Sequence, residues 1–378
     1  MVKGNSSLDP RNYPSETFDL FSIPAFDLGR PEVTRGAEIG STKQVVMPDD
    51  ILISKIVPHI RRAWIVGANR GRRQIASGEW IVFRSERVFP GYLRHALVSD
   101  GFHSQFMQTV SGVGGSLLRA RPAYVTNIEI PFPPLPEQRR IAEVLDRAET
   151  LRAQRRQALA QLDALAEAIF LDMFIDPRSE RWVRTSIGEL AATMRTGPFG
   201  SQLLHSEFVE SGVAVLGIDN VVKNEFVWAQ PRYITDAKFK QLERYRVVAG
   251  DVLITIMGTC GRCAIVPDDV PVAINTKHLC CIRLDMSRCL PSYLQAALLL
   301  HPEVLFRLGV HERGAVMPGL NMQIIRELEI PLPPLAVQRQ FEDEMRLVAR
   351  ETKVMAASLA ELDALFASLQ HRAFRGEL

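Results

Sequence analysis

The segment Glu129-Ile130-Pro131-Phe132-Pro133-Pro134-Leu135 recurs as Glu329-Ile330-Pro331-Leu332-Pro333-Pro334-Leu335. Gln138-Arg139 recurs as Gln338-Arg339. Further on, Leu159-Ala160-Gln161-Leu162-Asp163-Ala164-Leu165 recurs as Leu359-Ala360-Glu361-Leu362-Asp363-Ala364-Leu365. All these pairs are 200 residues apart, so a Pro-rich hinge and the helix after it were copied without a gap. A long internal period of this kind means that one structural unit is used twice.

The regions before the two hinges are related more loosely. Pro48-Asp49-Asp50-Ile51-Leu52-Ile53-Ser54 matches Ala249-Gly250-Asp251-Val252-Leu253-Ile254-Thr255, in each case a turn that opens an aliphatic strand. Trp80-Ile81-Val82-Phe83-Arg84 corresponds to Leu279-Cys280-Cys281-Ile282-Arg283, a second strand. Pro90-Gly91-Tyr92-Leu93 corresponds to Pro291-Ser292-Tyr293-Leu294, a helix started by proline. The order is therefore module (1–127), hinge and helix (128–176), module (177–327), hinge and helix (328–378). The expected fold is α+β, with two modules of mixed strands and short helices and a pseudo-twofold internal repeat.

From Glu137 to about Phe174, apolar residues step by three and four through Ile141, Leu145, Ala148, Leu159, Leu162, Ala166, Ile169 and Met173. Arg152 and Arg155 interrupt the seam. The second helix carries Phe341, Met345, Val348, Met355, Leu359, Leu362, Phe366, Leu369 and Ala373, with Thr352 as its break. A sustained 3.5-residue period signals a coiled coil. Two single seams in one chain are most simply buried against each other, as an antiparallel pair. Nearly forty helical residues span roughly 55–60 Å, against about 34 Å for one turn of B-DNA. Such a rod can act as a ruler; the plainer reading is a dimerisation element.

Composition bounds the rest. The 378 residues are 47% hydrophobic and 23% charged, with a net charge of +2, which suits a globular protein of at least two domains. No stretch approaches the ~20 apolar residues that span a bilayer, and the polar start from Met1 to Tyr13 lacks a signal-peptide core. Five cysteines, all between Cys260 and Cys289, do not form a secreted disulfide framework. A cytoplasmic protein is expected. Charge is uneven, because Ile51 to Gly78 contains basic charges only. That suits an anionic partner; a solvated face is the alternative.

Pro131–Ile141 and Pro331–Arg339 resemble the repeated conserved regions of type I restriction-modification specificity subunits. Thr196-Gly197-Pro198-Phe199-Gly200-Ser201, Leu216-Gly217-Ile218-Asp219-Asn220-Val221 and Gly250-Asp251-Val252-Leu253-Ile254 resemble elements of their target-recognition domains. The closing His371-Arg372-Ala373-Phe374-Arg375-Gly376-Glu377-Leu378 resembles their common C-terminus. The resemblance implies a non-catalytic subunit that binds double-stranded DNA, bridges two methyltransferase subunits and recruits restriction subunits. Each recognition domain would read one half of a split, asymmetric site, and the paired helices would set the unread gap. S-adenosylmethionine, ATP and Mg would be bound by the partners, with no cofactor on this chain. Two departures stand out. The first module opens with Phe21-Ser22-Ile23-Pro24-Ala25-Phe26-Asp27 instead of the Gly-Pro-Phe-Gly-Ser run, and Ala336-Val337 replace Pro136-Glu137 in the second hinge.

Catalytic readings are weaker. An amino-methyltransferase would place Asp or Asn before Pro-Pro and an aromatic after it, whereas this chain has Phe132-Pro133-Pro134-Leu135, twice over in pattern. Gly112-Val113-Gly114-Gly115 is too isolated to be a cofactor loop. Asp49 with Lys55 could suggest a nuclease, but the equivalent strand of the second module is followed by Ile256-Met257, with no lysine there, and Asp50 and Asp251 read as turn residues. Cys280 and Cys281 are adjacent on a strand and point to opposite faces, which argues against shared zinc. A self-sufficient methyltransferase or nuclease and a coiled-coil adaptor remain as alternatives.

DNA contacts want Lys and Arg for phosphates, and Arg, Lys, Asn, Gln and Ser for base edges. Candidates in the first module are Lys43, Lys55, Arg61, Arg62, Arg70, Arg72, Arg73 and Gln74. In the second they are Arg195, Ser201, Gln202, Lys223, Asn224, Arg262, Asn275, Lys277 and Arg313. His278 and His311 are either DNA contacts or ordinary surface histidines.

Overall fold

Strand Ile51–Ser54 is apolar at consecutive positions because its two faces serve two different cores. Ile51 and Ile53 join Ile81, Leu93, Leu97, Phe102 and Phe106, while Leu52 joins Phe21, Val66, Trp80 and Val82. Strand Val252–Thr255 repeats this, with Val252 and Ile254 in one core and Leu253 in the other. Alternation of side chains along a strand makes such double burial possible. These relations come from a computed structural model that describes residues 6–112, 118–175, 182–229, 231–308 and 320–378. Arg313 and His311 lie outside the described residues, as does most of the Gly112–Gly115 run.

The chain divides into two compact units, Met1–Gln157 with Met355–Leu378, and Ala158–Val354. Each holds one module and parts of both long helices. The first unit has a mixed five-stranded sheet in the order Ser7–Leu8, Lys43–Val45, Arg73–Ala76, Thr17–Phe21, Glu32–Arg35. Only Thr17–Phe21 and Arg73–Ala76 run parallel. An antiparallel sheet of Ala63–Ile65, Ile51–Ser54 and Trp80–Phe83 packs beside it, covered by helices Pro90–Val98 and Asp100–Gln108. The second unit has the same plan. Val213–Leu216 runs parallel to Ala273–Asn275 in one four-stranded sheet. Ala191–Thr196, Leu279–Leu284, Val252–Thr255 and Cys263–Ile265 form the other. The expected α+β fold is observed. Among the described residues no helix is long and apolar enough to cross a membrane.

The turns before the two matching strands are built alike. Asp49 (φ 68°) and Gly250 (φ 80°) take the left-handed conformation, which glycine adopts at no steric cost and aspartate tolerates. The next residue is a fully buried aspartate. Asp50 accepts from the Met47 amide at 2.8 Å, and Asp251 from the Val248 amide at 3.0 Å. Each is gripped bidentately by an arginine, Arg84 at 2.6 and 2.6 Å and Arg283 at 2.8 and 2.9 Å.

The Pro-rich segments are anchored joints rather than loose hinges. Gln138 is buried, accepts from the Phe89 amide at 2.7 Å and donates to the Pro133 carbonyl at 2.8 Å. Gln338 does the same with Leu290 (2.8 Å) and Pro333 (2.8 Å), and adds the Arg288 carbonyl at 3.1 Å. Tyr92 donates to the Pro131 carbonyl at 2.8 Å, and Tyr293 donates to that of Pro331. Module and helix are thus joined by the same bonds in both units.

The long helices, Leu135–Phe174 and Leu335–Ala373, are 40 and 39 residues long. They pair antiparallel. In the first unit Ile141 and Leu145 are buried with Tyr92, Phe366, Leu369 and Ala373. In the second, Phe170 and Phe174 enclose Phe341, with Ile169 and Met345 packed alongside. Leu159, Leu162, Leu359 and Leu362 of the expected seam are half-buried. Arg152 fills the interruption by pairing with Asp363 and lying 4.3 Å over the Phe366 ring, while Arg155 donates to the Met355 sulfur.

Candidate nucleic-acid interface

Strand register fixes which loops meet. In the second module Leu216 lies opposite Asn275, and Thr196, Ile254 and Cys263 fall in one row with Cys280, near the start of Leu279–Leu284. The segment 276–278 links the two sheets at this end. Its Thr276 amide bonds the Leu216 carbonyl at 2.9 Å, and its His278 carbonyl accepts from the Ile256 amide at 2.9 Å. The loops after Thr196, Leu216 and Thr255 therefore converge with 276–278. Gly197 marks the closest approach, since a Cβ there would stand 2.0 Å from the Asn275 carbonyl oxygen. That is a physical reason for glycine at this position.

Most second-module candidates are gathered here. Ser201, Gln202 and Lys223 are exposed and Lys277 is half-exposed. Among the described residues, Lys223 and Lys277 have no side-chain partner. Arg262 sits on the same end, in the turn whose amide bonds Thr255 Oγ1 at 2.9 Å. Arg195 donates to the Arg246 carbonyl. Two candidates have structural jobs instead. Asn275 is fully buried and donates to the Leu279 carbonyl at 3.0 Å, and Asn224 (φ 60°) holds the Cys263 amide at 3.2 Å.

The first-module candidates are divided by the fold. Lys43, Lys55, Arg61 and Arg62 belong to the corresponding end, where the Lys55 amide bonds the Glu79 carbonyl at 3.0 Å and Gln44 Nε2 donates to the Ser77 carbonyl at 3.0 Å. Arg61 pairs with Asp100 at 2.6 Å and Arg62 with Asp27 at 3.0 Å, while Lys43 bonds Ser41 Oγ at 2.6 Å. Arg70, Arg72 and Arg73 precede or start strand Arg73–Ala76 and lie at its other end. Arg72 pairs with buried Asp19 at 2.6 Å, and Arg73 pairs with Glu16 and lies 4.1 Å over the Tyr13 ring. Gln74 is buried and bonds the Gly67 carbonyl at 2.9 Å. Arg70 and Arg72 line a cleft of about 690 Å³ with Asp19, Trp64 and Gln74.

Burial and the adjacent Lys277 and Arg232 push His278 below its ordinary value. Burial, Arg61 and His59 do the same to His103, against the pull of Asp100. Sequence reasoning missed Arg232, Arg244 and Tyr245, which only strand pairing brings to this end. Among the described residues one group has metal-ligand spacing, His95, Asp146 and Glu149. The Arg94 guanidinium already occupies it, 2.8 Å from Asp146 and 2.6 Å from Glu149. Cys280 and Cys281 face different cores, as their adjacency on a strand requires.

Residues 180–363 match the family described as the type I restriction modification DNA specificity domain. The chain is 25% identical over 319 residues to the specificity subunit of the Escherichia coli type I restriction enzyme EcoBI, covering 76% of this chain and 65% of that subunit. The second module and most of the helix that follows it thus resemble the type I restriction modification DNA specificity domain. A second relative, the EcoKI specificity subunit of Escherichia coli strain K12, is 24% identical over 341 residues, 79% of this chain and 68% of that one. The chain thus spans just under two thirds of the length of the EcoBI subunit. A chain from a solved structure of a type I restriction-modification system shares the fold, with a TM-score of 0.61 at 21% identity over 99% of this chain and 95% of that one. The segment matching the family contains the second module's converging loops. The first module, whose opening departs from the family pattern, lies outside it.

Proposed function

We propose that this chain is the DNA-reading subunit of a type I restriction-modification complex. Each module reads one half of a bipartite, asymmetric site through its converging loop end. The paired helices set the gap between the halves and dock two methyltransferase subunits, to which restriction subunits add. The bond chemistry belongs to those partners, which carry S-adenosylmethionine, ATP and Mg. The observation that carries this reading is the duplication itself. The same anchored joint holds each helix to its module, while the loops at the converging ends differ. Of the candidate contacts, Lys43, Lys55, Ser201, Gln202, Lys223, Arg262 and Lys277 fit a DNA-facing role best, and the buried Gln74 and Asn275 fit it least.

Methylation mapping in cells that express the chain with its methyltransferase partner tests the proposal. A split motif is expected. Replacing residues 1–127 by another module changes one half of it, and inserting about four residues, one helical turn, near Ala153 changes only the gap. Unmethylated DNA, or a module exchange that alters both halves, would refute it.

A further inference from the structure

Gln202 sits on an exposed loop of the second module, yet its carboxamide is not free to rotate. The Phe199 backbone amide lies 3.3 Å from Oε1 and can only donate, so the oxygen must face it. The Tyr245 hydroxyl lies 2.9 Å from the same oxygen. Arg244 donates to that hydroxyl at 2.8 Å and lies 4.8 Å over the ring. A guanidinium has no acceptor, so the hydroxyl proton is directed at Gln202. Two donors thus saturate Oε1 and leave Nε2, which has no partner among the described residues, as an outward-facing donor.

On the reading of this end as the DNA-facing one, we infer that Gln202 is a specificity-determining residue of the second half-site. It presents a fixed donor to a base carrying an acceptor in the major groove: N7 or O6 of guanine, N7 of adenine, or O4 of thymine. Tyr245 and Arg244 are its positioning residues. An unconstrained glutamine can flip and offer either donor or acceptor, so the clamp converts an ambiguous reader into a one-sided one.

The test is motif mapping by methylation in cells expressing the methyltransferase partner with the wild-type chain, Gln202→Glu or Tyr245→Phe. Gln202→Glu replaces donor by acceptor. It should move one position of one half-site toward a base offering an amino hydrogen, cytosine N4 or adenine N6. Tyr245→Phe should keep the letter and lower discrimination there on the order of tenfold. The other half-site stays unchanged in both and serves as the internal control for folding. Unchanged letters and discrimination in both variants overturn the inference. Loss of all methylation in the conservative Tyr245→Phe also overturns it, because a positioning contact on an exposed loop does not account for that. Failure of the wild-type chain to yield any split motif would instead strike the underlying DNA-reading proposal.

Discussion

In the first module Asp50 is gripped by Arg84 and the Met47 amide; in the second, Asp251 is gripped by Arg283, the Val248 amide and the Cys281 thiol at 3.4 Å. Val82 stands where Cys281 would recur, so the first aspartate has one donor fewer. The joints vary as little, with Gln338 making one more bond than Gln138. The loop ends are another matter. The second module clamps Gln202 between Phe199 and Tyr245, while the first ties Arg61 and Arg62 into ion pairs. Anchoring is held constant and the outward surface varies. A chain that must keep two readers at a set spacing while each reads different bases would have that distribution of change.

The largest effect is expected from breaking the buried pairs. Removing one partner of a buried ion pair leaves an uncompensated charge and costs about 3–5 kcal/mol. Both arginines are partly exposed, so the lower end, about 3 kcal/mol, is expected for Arg84→Ala. Arg283→Ala should cost less, because Asp251 keeps two donors where Asp50 keeps one. Urea denaturation followed by probes in each unit measures both. Equal costs would mean that the thiol contributes nothing.

Much of this fold was legible in the sequence. The doubled hinge predicted the duplication, and the 3.5-residue seam predicted paired helices. The aliphatic runs at Ile51 and Val252 gave strands. The role of Gln138 and Gln338 was not legible, because a repeated glutamine does not announce which distant amide it will bond. The basic run from Ile51 to Gly78 does not form one patch, for a related reason. Lys55, Arg61 and Arg62 follow strand Ile51–Ser54, whereas Arg70, Arg72 and Arg73 precede or begin strand Arg73–Ala76, so the chain has crossed the module between them. Charges adjacent in sequence were carried to opposite ends. Arg244 and Tyr245 escaped notice because they reach Gln202 only through the pairing of Arg246 with Ile274.

A smaller effect, on binding rather than stability, separates the loop ends. Lys223→Ala and Lys277→Ala should weaken DNA binding by the assembled complex whatever the sequence, and each should lower the dependence of log Kd on log salt by about 0.9. Arg61→Ala and Arg62→Ala in the first module should do less, since their guanidinium groups are already held by Asp100 and Asp27. Titrations at several salt concentrations test this. Equal slopes for the lysine and arginine variants would remove the distinction between free and tied cations.

The smallest expected effect concerns acid. On helix Pro90–Val98, Arg94 and His95 occupy the places of Gln295 and Ala296 on helix Pro291–Leu300. His95 is fully buried, with Nε2 2.8 Å from Asp146 and 2.9 Å from Arg94. Burial first, then Arg94, hold it below its ordinary value, against the opposing pull of Asp146 and Glu149. The unfolded chain therefore binds the proton more readily than the folded one. Stability from neutral His95 is present above the unfolded value of about 6.5 and is lost as pH falls through the lower folded value. His95→Ala imitates the second unit at this point. The stability gap between wild type and variant should shrink as pH falls below about 6.5, measured by thermal unfolding of the first unit at a series of pH values. A gap that widens instead would mean that the protonated imidazole gains more from Asp146 and Glu149 than it loses to burial and Arg94.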